Sequence, residues 1–96
     1  MTEDALLAEI LDMCSRLGLV VFHSTDPRRD IGRGFPDLVI IGERDMCFAE
    51  LKSGSGRLSP EQTVWRYKII AAEVAHYVWR PGDLESGRIE TILRTL

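Results

Sequence analysis

PDLVIIGERDMCFAELK, residues 36–52, carries two apolar runs on either side of Gly42-Glu43-Arg44-Asp45, a polar segment with the composition of a turn. The runs predict two strands, Asp37 to Ile41 and Met46 to Lys52, joined as an antiparallel hairpin. A four-residue turn sets Ile41 opposite Met46, and counting back sets Asp37 opposite Glu50. Side chains alternate along a strand, so Lys52 shares the face of Glu50 while Leu51 points away. Directly opposed residues have Cβ atoms roughly 5 Å apart. Two carboxylates that close repel each other, and burial makes the repulsion worse. Something positive must sit between them.

Lys52 supplies one charge, and a divalent cation would supply the rest. The ligands on offer are oxygens: the carboxylates of Asp37 and Glu50 and the backbone carbonyl of Leu51. Hard oxygen donors with room for water suit Mg²⁺ or Mn²⁺ rather than zinc. Such an ion acidifies bound water and offsets the negative charge that grows on a phosphodiester under attack. Lys52 could orient the attacking water or stabilise the charged transition state. The plainer alternative is a salt-bridged hairpin end, with Glu50 paired to Lys52.

Both strands are apolar on both faces, which predicts a sheet covered on both sides. Upstream, Leu6, Ile10, Met13, Cys14 and Leu17 recur at helical spacing, predicting a helix from about Thr2 to Leu17. Thr2 suits its cap, Glu3 and Asp4 its positive end, and Gly18 its stop. Glu9 falls at the edge of the apolar stripe beside Met13. Leu19 to Phe22 reads as a short strand, followed by HSTDPRRDIGRGFP, a long loop punctuated by glycine and proline.

Downstream, Ser59 fits a helix cap, Pro60 the first helical position, and Gln62 completes a capping box. The capping box explains Gln62 without any function, and one side chain is hard pressed to serve both a cap and a site. This helix reads to about Ala72 with two apolar edges: Trp65, Ile69 and Ala72 on one, Val64, Tyr67 and Ala71 on the other. Val74 to Trp79 is a further strand ended by Pro81-Gly82, and a last helix carries Ile89, Ile92, Leu93 and Leu96. Trp65, Trp79 and His76 read as structural residues. The order α-β-β-β-α-β-α predicts an α/β sheet with helices packed against it.

The 96 residues suffice for one small domain, 1–96, and 45% of them are hydrophobic, an ordinary globular share. No apolar run approaches the ~20 residues of a membrane span, so an intracellular, cytoplasmic, soluble protein is expected. Cys14, Cys47, His23 and His76 show no zinc-ligand spacing, and the two cysteines read as buried thiols. The net charge of −3 argues against coating nucleic acid through bulk positive charge. Basic residues nonetheless gather around the hairpin. Arg28, Arg29 and Arg33 precede it, and Lys52, Arg57, Arg66 and Lys68 follow against Glu61 alone. Arginines in loops suit DNA phosphates.

Gly34-Phe35-Pro36-Asp37, Glu50-Leu51-Lys52, and Leu58-Ser59-Pro60-Glu61-Gln62 with Trp65 together resemble the VRR-NUC family, of the PD-(D/E)XK nuclease superfamily. The likeness runs from the first helix to Trp79-Arg80-Pro81. It implies a restriction-endonuclease-like core with a mixed β-sheet flanked by helices. Asp37 and Glu50 would be metal ligands and Lys52 the signature lysine. Glu9 would be the first-helix acid that joins the metal or its waters, and Gln62 the glutamine heading the helix after the signature. The resemblance further implies an Mg²⁺- or Mn²⁺-dependent endonuclease acting as a homodimer on Holliday junctions or other branched DNA. A duplex-nicking or flap nuclease with the same site is the alternative among enzymes. A catalytically idle DNA- or protein-binding module of the same fold is the alternative among binding proteins.

Overall fold

The structure is a computed structural model and describes residues 1–24 and 32–96. Its elements are α1 (Glu3–Arg16), β1 (Val20–His23), β2 (Leu38–Ile41), β3 (Met46–Leu51), α2 (Pro60–Ala71), β4 (Ala75–Trp79), α3 (Pro81–Glu85) and α4 (Arg88–Leu93). The four strands form one mixed sheet in the order β1-β2-β3-β4. β1, β2 and β3 pair antiparallel, and β4 returns parallel to β3 after the α2 crossover.

The hairpin register is the one the turn length predicts. Ile41 pairs with Met46 and Leu38 with Ala49. Gly42 N–H donates to the Asp45 carbonyl at 2.9 Å and closes the turn. The turn docks on the end of the chain, where Arg44 and Asp45 N–H donate to the Leu96 carbonyl at 2.7 and 3.1 Å. A side chain at position 42 would collide with that Leu96 backbone, so glycine is required there.

One face of the sheet is closed by α1 and α4. Leu6, Ile10, Met13 and Cys14 from α1 and Ile89 and Leu93 from α4 bury against Leu38, Ile40, Cys47, Ala49, Leu51 and Trp79. Cys14 and Cys47 lie inside this core, and burial pushes their thiols up to about 11 and about 12, which leaves them unreactive.

The opposite face carries α2, which packs over β4 and buries Ile69. Covering both faces completely, as the apolar strands predict, is not what happens. Val20 and Phe22 on β1 and Ile41 on β2 stay 70%, 61% and 47% exposed. The reason is geometric: one 12-residue helix spans about 18 Å and cannot roof four strands. The last helix also differs from expectation. Pro81 stops β4 but starts the short α3, whose Asp83 carboxylate accepts from Arg80 N–H at 2.8 Å. Proline at a first helical position costs nothing, which a reading of Pro81-Gly82 as a simple stop overlooks.

Among the described residues, no helix is long and apolar enough to cross a membrane.

Candidate functional site

The β2–β3 ladder changes character at Pro36. Continuing its register sets Asp37 across from Glu50 and Pro36 across from Leu51. Proline has no N–H, so the Leu51 carbonyl receives nothing from that side. The Leu51 N–H goes to a side chain, donating to Asp37 Oδ2 at 2.8 Å. Asp37 thus stands in for the Pro36 carbonyl of a continued ladder with one carboxylate oxygen and keeps the other for the site. Its own carbonyl accepts from Ser24 N–H at 2.9 Å, so β1 holds its other side.

Glu50 lies on the α2 face, only 1% exposed. Gln62 Nε2 donates to its Oε1 at 3.0 Å, whereas Oε2 is buried with no hydrogen-bond partner among the described residues. Burial, and then the charge of the neighbouring Asp37, push the Glu50 carboxyl up to about 9, with Lys52 pulling the other way. The two acids meet as the continued register requires, and a proton held on the Glu50 carboxyl relieves their repulsion.

Gln62 departs from expectation. Its Oε1 accepts from Ser59 N–H at 2.8 Å, Ser59 Oγ accepts from Gln62 N–H at 3.1 Å, and its Nε2 reaches Glu50. Cap and site are served together, because an amide offers an acceptor at one end and donors at the other. The helix start and the Glu50 rotamer are therefore one structure.

The remaining expected residues are placed less centrally. Lys52 follows β3 directly and is half-buried, with its N–H donating to the Trp79 carbonyl at 3.0 Å. Glu9 is exposed on α1. Glu3, likewise exposed on α1, adds the last and smallest upward push on the Glu50 carboxyl. Among the described residues, no three His, Cys, Asp or Glu side chains form a metal-holding group.

Of the candidate DNA contacts, Arg33, Arg57 and Lys68 are exposed. Arg28 and Arg29 lie outside the described residues. Arg66 is turned inward: its Nη1 lies 2.8 Å from both His76 Nδ1 and the His76 carbonyl. His76 is buried, its Nε2 has no partner, and burial with the Arg66 charge pushes it down to about 4. Arg66 is accordingly first a strut between α2 and β4. A sequence shows its charge and not this engagement.

An open cleft of about 580 Å³ adjoins the acids, lined by His23, Arg33, Phe35, Asp37, Glu61 and Gln62 among others. It gives Asp37 access to solvent that Glu50 lacks.

Known proteins offer no guide here. No family model, no curated protein and no solved structure matches the chain. The likeness to VRR-NUC nucleases therefore rests on the quoted residues and on what their side chains can do.

Proposed function

We propose that the protein is a metal-dependent endonuclease that hydrolyses DNA phosphodiesters, built on a restriction-endonuclease-like core. One observation supports the reading: two carboxylates, Asp37 and the buried Glu50, face each other beside Lys52, and Glu50 Oε2 has no partner among the described residues. A salt-bridged hairpin end accounts poorly for this, since Lys52 does not neutralise Glu50, whose carboxyl is pushed up to about 9.

The residues fit a hard divalent cation. The orphaned Glu50 oxygen, the Asp37 oxygen not taken by Leu51 N–H, and the Leu51 carbonyl are three oxygen donors on adjoining chain. Mg²⁺ keeps several waters in sites of this kind, so a third acid is not required. Bound there, the ion would supply an activated water and offset charge on the phosphodiester. The chain's own residues do the rest. Gln62 fixes the Glu50 carboxylate, the Leu51 N–H fixes that of Asp37, and Lys52 stabilises the charge that develops at the phosphorus. Arg33 at the cleft and Arg57 after the signature are exposed and suit backbone phosphates.

The exposed faces favour a homodimer and, with it, branched DNA as substrate. The C-terminal helix could have covered the outer edge of α2, but it packs on the opposite face of the sheet. Val64 and Tyr67 on α2 are left 59% and 73% exposed, and Val20 and Phe22 on β1 are exposed too. A two-fold partner would cover them and set two active sites to cut paired strands.

A nicking assay on supercoiled plasmid and on a four-way junction, with and without Mg²⁺ or Mn²⁺, tests the reading. Metal-dependent cleavage that Lys52→Ala abolishes while DNA binding survives is the expected result. Binding without cleavage under every metal condition would make the protein a DNA-binding module. Cleavage of plain duplex or flaps with junctions untouched would move the substrate to those structures.

A further inference from the structure

Gln62 ties α2 to Glu50, and a second set of contacts ties the same helix to the segment that delivers Asp37. Residues 32–36 form no regular ladder. They turn once, with Phe35 N–H donating to the Gly32 carbonyl at 3.0 Å. Trp65 Nε1–H donates to the Arg33 carbonyl at 2.8 Å. The Phe35 ring stands edge-on to Trp65, with centroids 5.1 Å apart, and edge-on to Phe48 of β3 at 5.9 Å. Gly34 presses on α2 itself: a Cβ there would come within 2.7 Å of Glu61 backbone and side-chain atoms, and its φ of +89° favours glycine. Pro36, next in line, is fully buried.

Only Gly34, Phe35 and Pro36 separate the Arg33 carbonyl from Asp37, and each is held. Three residues with no slack pass a displacement at one end directly to the other.

We propose that Trp65 is a positioning residue for Asp37: through its indole N–H on the Arg33 carbonyl and its ring on Phe35, it sets where the Asp37 carboxylate meets Leu51 and Glu50. The consequence for catalysis rests on the nuclease reading, whereas the placement itself does not. Trp79, wholly in the core, leaves its indole N–H without a partner among the described residues. The Trp65 N–H is spent on the one segment that leads into the acid.

The Leu51 amide, bonded to Asp37 Oδ2, reports the placement without any metal. The test is amide hydrogen exchange on the metal-free protein, comparing Leu51 with Cys47 and Ala49, which pair with β2 in the same ladder. Trp65→Phe keeps a ring and removes the N–H. Leu51 exchange should accelerate about tenfold while Cys47 and Ala49 hold. Gly34→Ala, which pushes the segment off Glu61, should give the same signature, and it decides the matter if Trp65→Phe does not fold. Unchanged Leu51 protection in a folded variant overturns the proposal. So does a parallel loss at Leu51, Cys47 and Ala49, which marks Trp65 as plain core. In the cleavage assay, folded Trp65→Phe should need several-fold more Mg²⁺ for half-maximal rate. Absence of cleavage by the wild type would count against the nuclease reading alone, and the exchange result would still decide the role of Trp65.

Discussion

Glu50 is the buried one of the two facing acids, and its ionisation gives the metal-free protein a distinct pH response. Its carboxyl rises from an ordinary 4.5 to about 9, so the folded state holds a proton that the unfolded chain has already released. The stability this contributes is complete below about pH 4.5 and is lost as pH rises toward 9. Glu50→Gln removes the titration and the repulsion with Asp37 while keeping the shape. The variant should melt higher than wild type at pH 8, with the difference shrinking toward pH 5, as followed by thermal denaturation. Gln62 sits one contact away. Gln62→Ala removes the cap acceptor and strands Glu50 Oε1, at a cost of about 1–3 kcal/mol in urea denaturation. Gln62→Glu can keep the cap but sets a third carboxylate against Glu50, so its stability should recover in acid and fall at neutral pH.

The elements divide into what the chain spells out locally and what only packing supplies. The hairpin register was legible because turn length and strand alternation together leave one pairing, and Asp37 meets Glu50 for that reason. The α2 start was legible because Ser59, Pro60 and Gln62 each have a local reason to be there. The double use of Gln62 was not, since it depends on how close α2 lies to β3. The Arg66–His76 strut belongs to the same class, joining α2 to β4 through tertiary contact. It carries its own pH signature, opposite in sense to that of Glu50. His76 falls from 6.5 to about 4, so the stability of its neutral buried form is whole above about pH 6.5 and is lost as pH drops toward 4. His76→Phe should flatten that acid limb of the melting curve, whatever its effect on overall stability. An unchanged acid limb would place its origin elsewhere.

For the whole molecule, the sheet is roofed on one side and half-roofed on the other, and size explains the imbalance. A chain of this length buries only about 60–65% of the surface its unfolded form exposes. Among the described residues, Met1, Val20, Phe22, Ile41, Val64, Tyr67 and Ile70 are left exposed. Light scattering at micromolar concentration should report twice the 10.9 kDa chain mass. Phe22→Glu or Tyr67→Glu, each placing a charge on an exposed apolar position, should return a folded monomer with the Asp37–Glu50 site intact. A wild type that is monomeric throughout would remove the dimer and the paired-cut geometry with it.

A cation site made by Asp37 and Glu50 underlies the reading at every scale, and thermal melting against added Mn²⁺ or Mg²⁺ probes it most directly. A ligand that binds only the folded state raises the melting temperature in proportion to the logarithm of its concentration, about 2.7 kcal/mol of added stability at a hundred times Kd. Wild type should climb in this way near pH 8, and Glu50→Gln should start higher and stay flat. Equal metal responses in the two proteins, or none in either, would contradict the site.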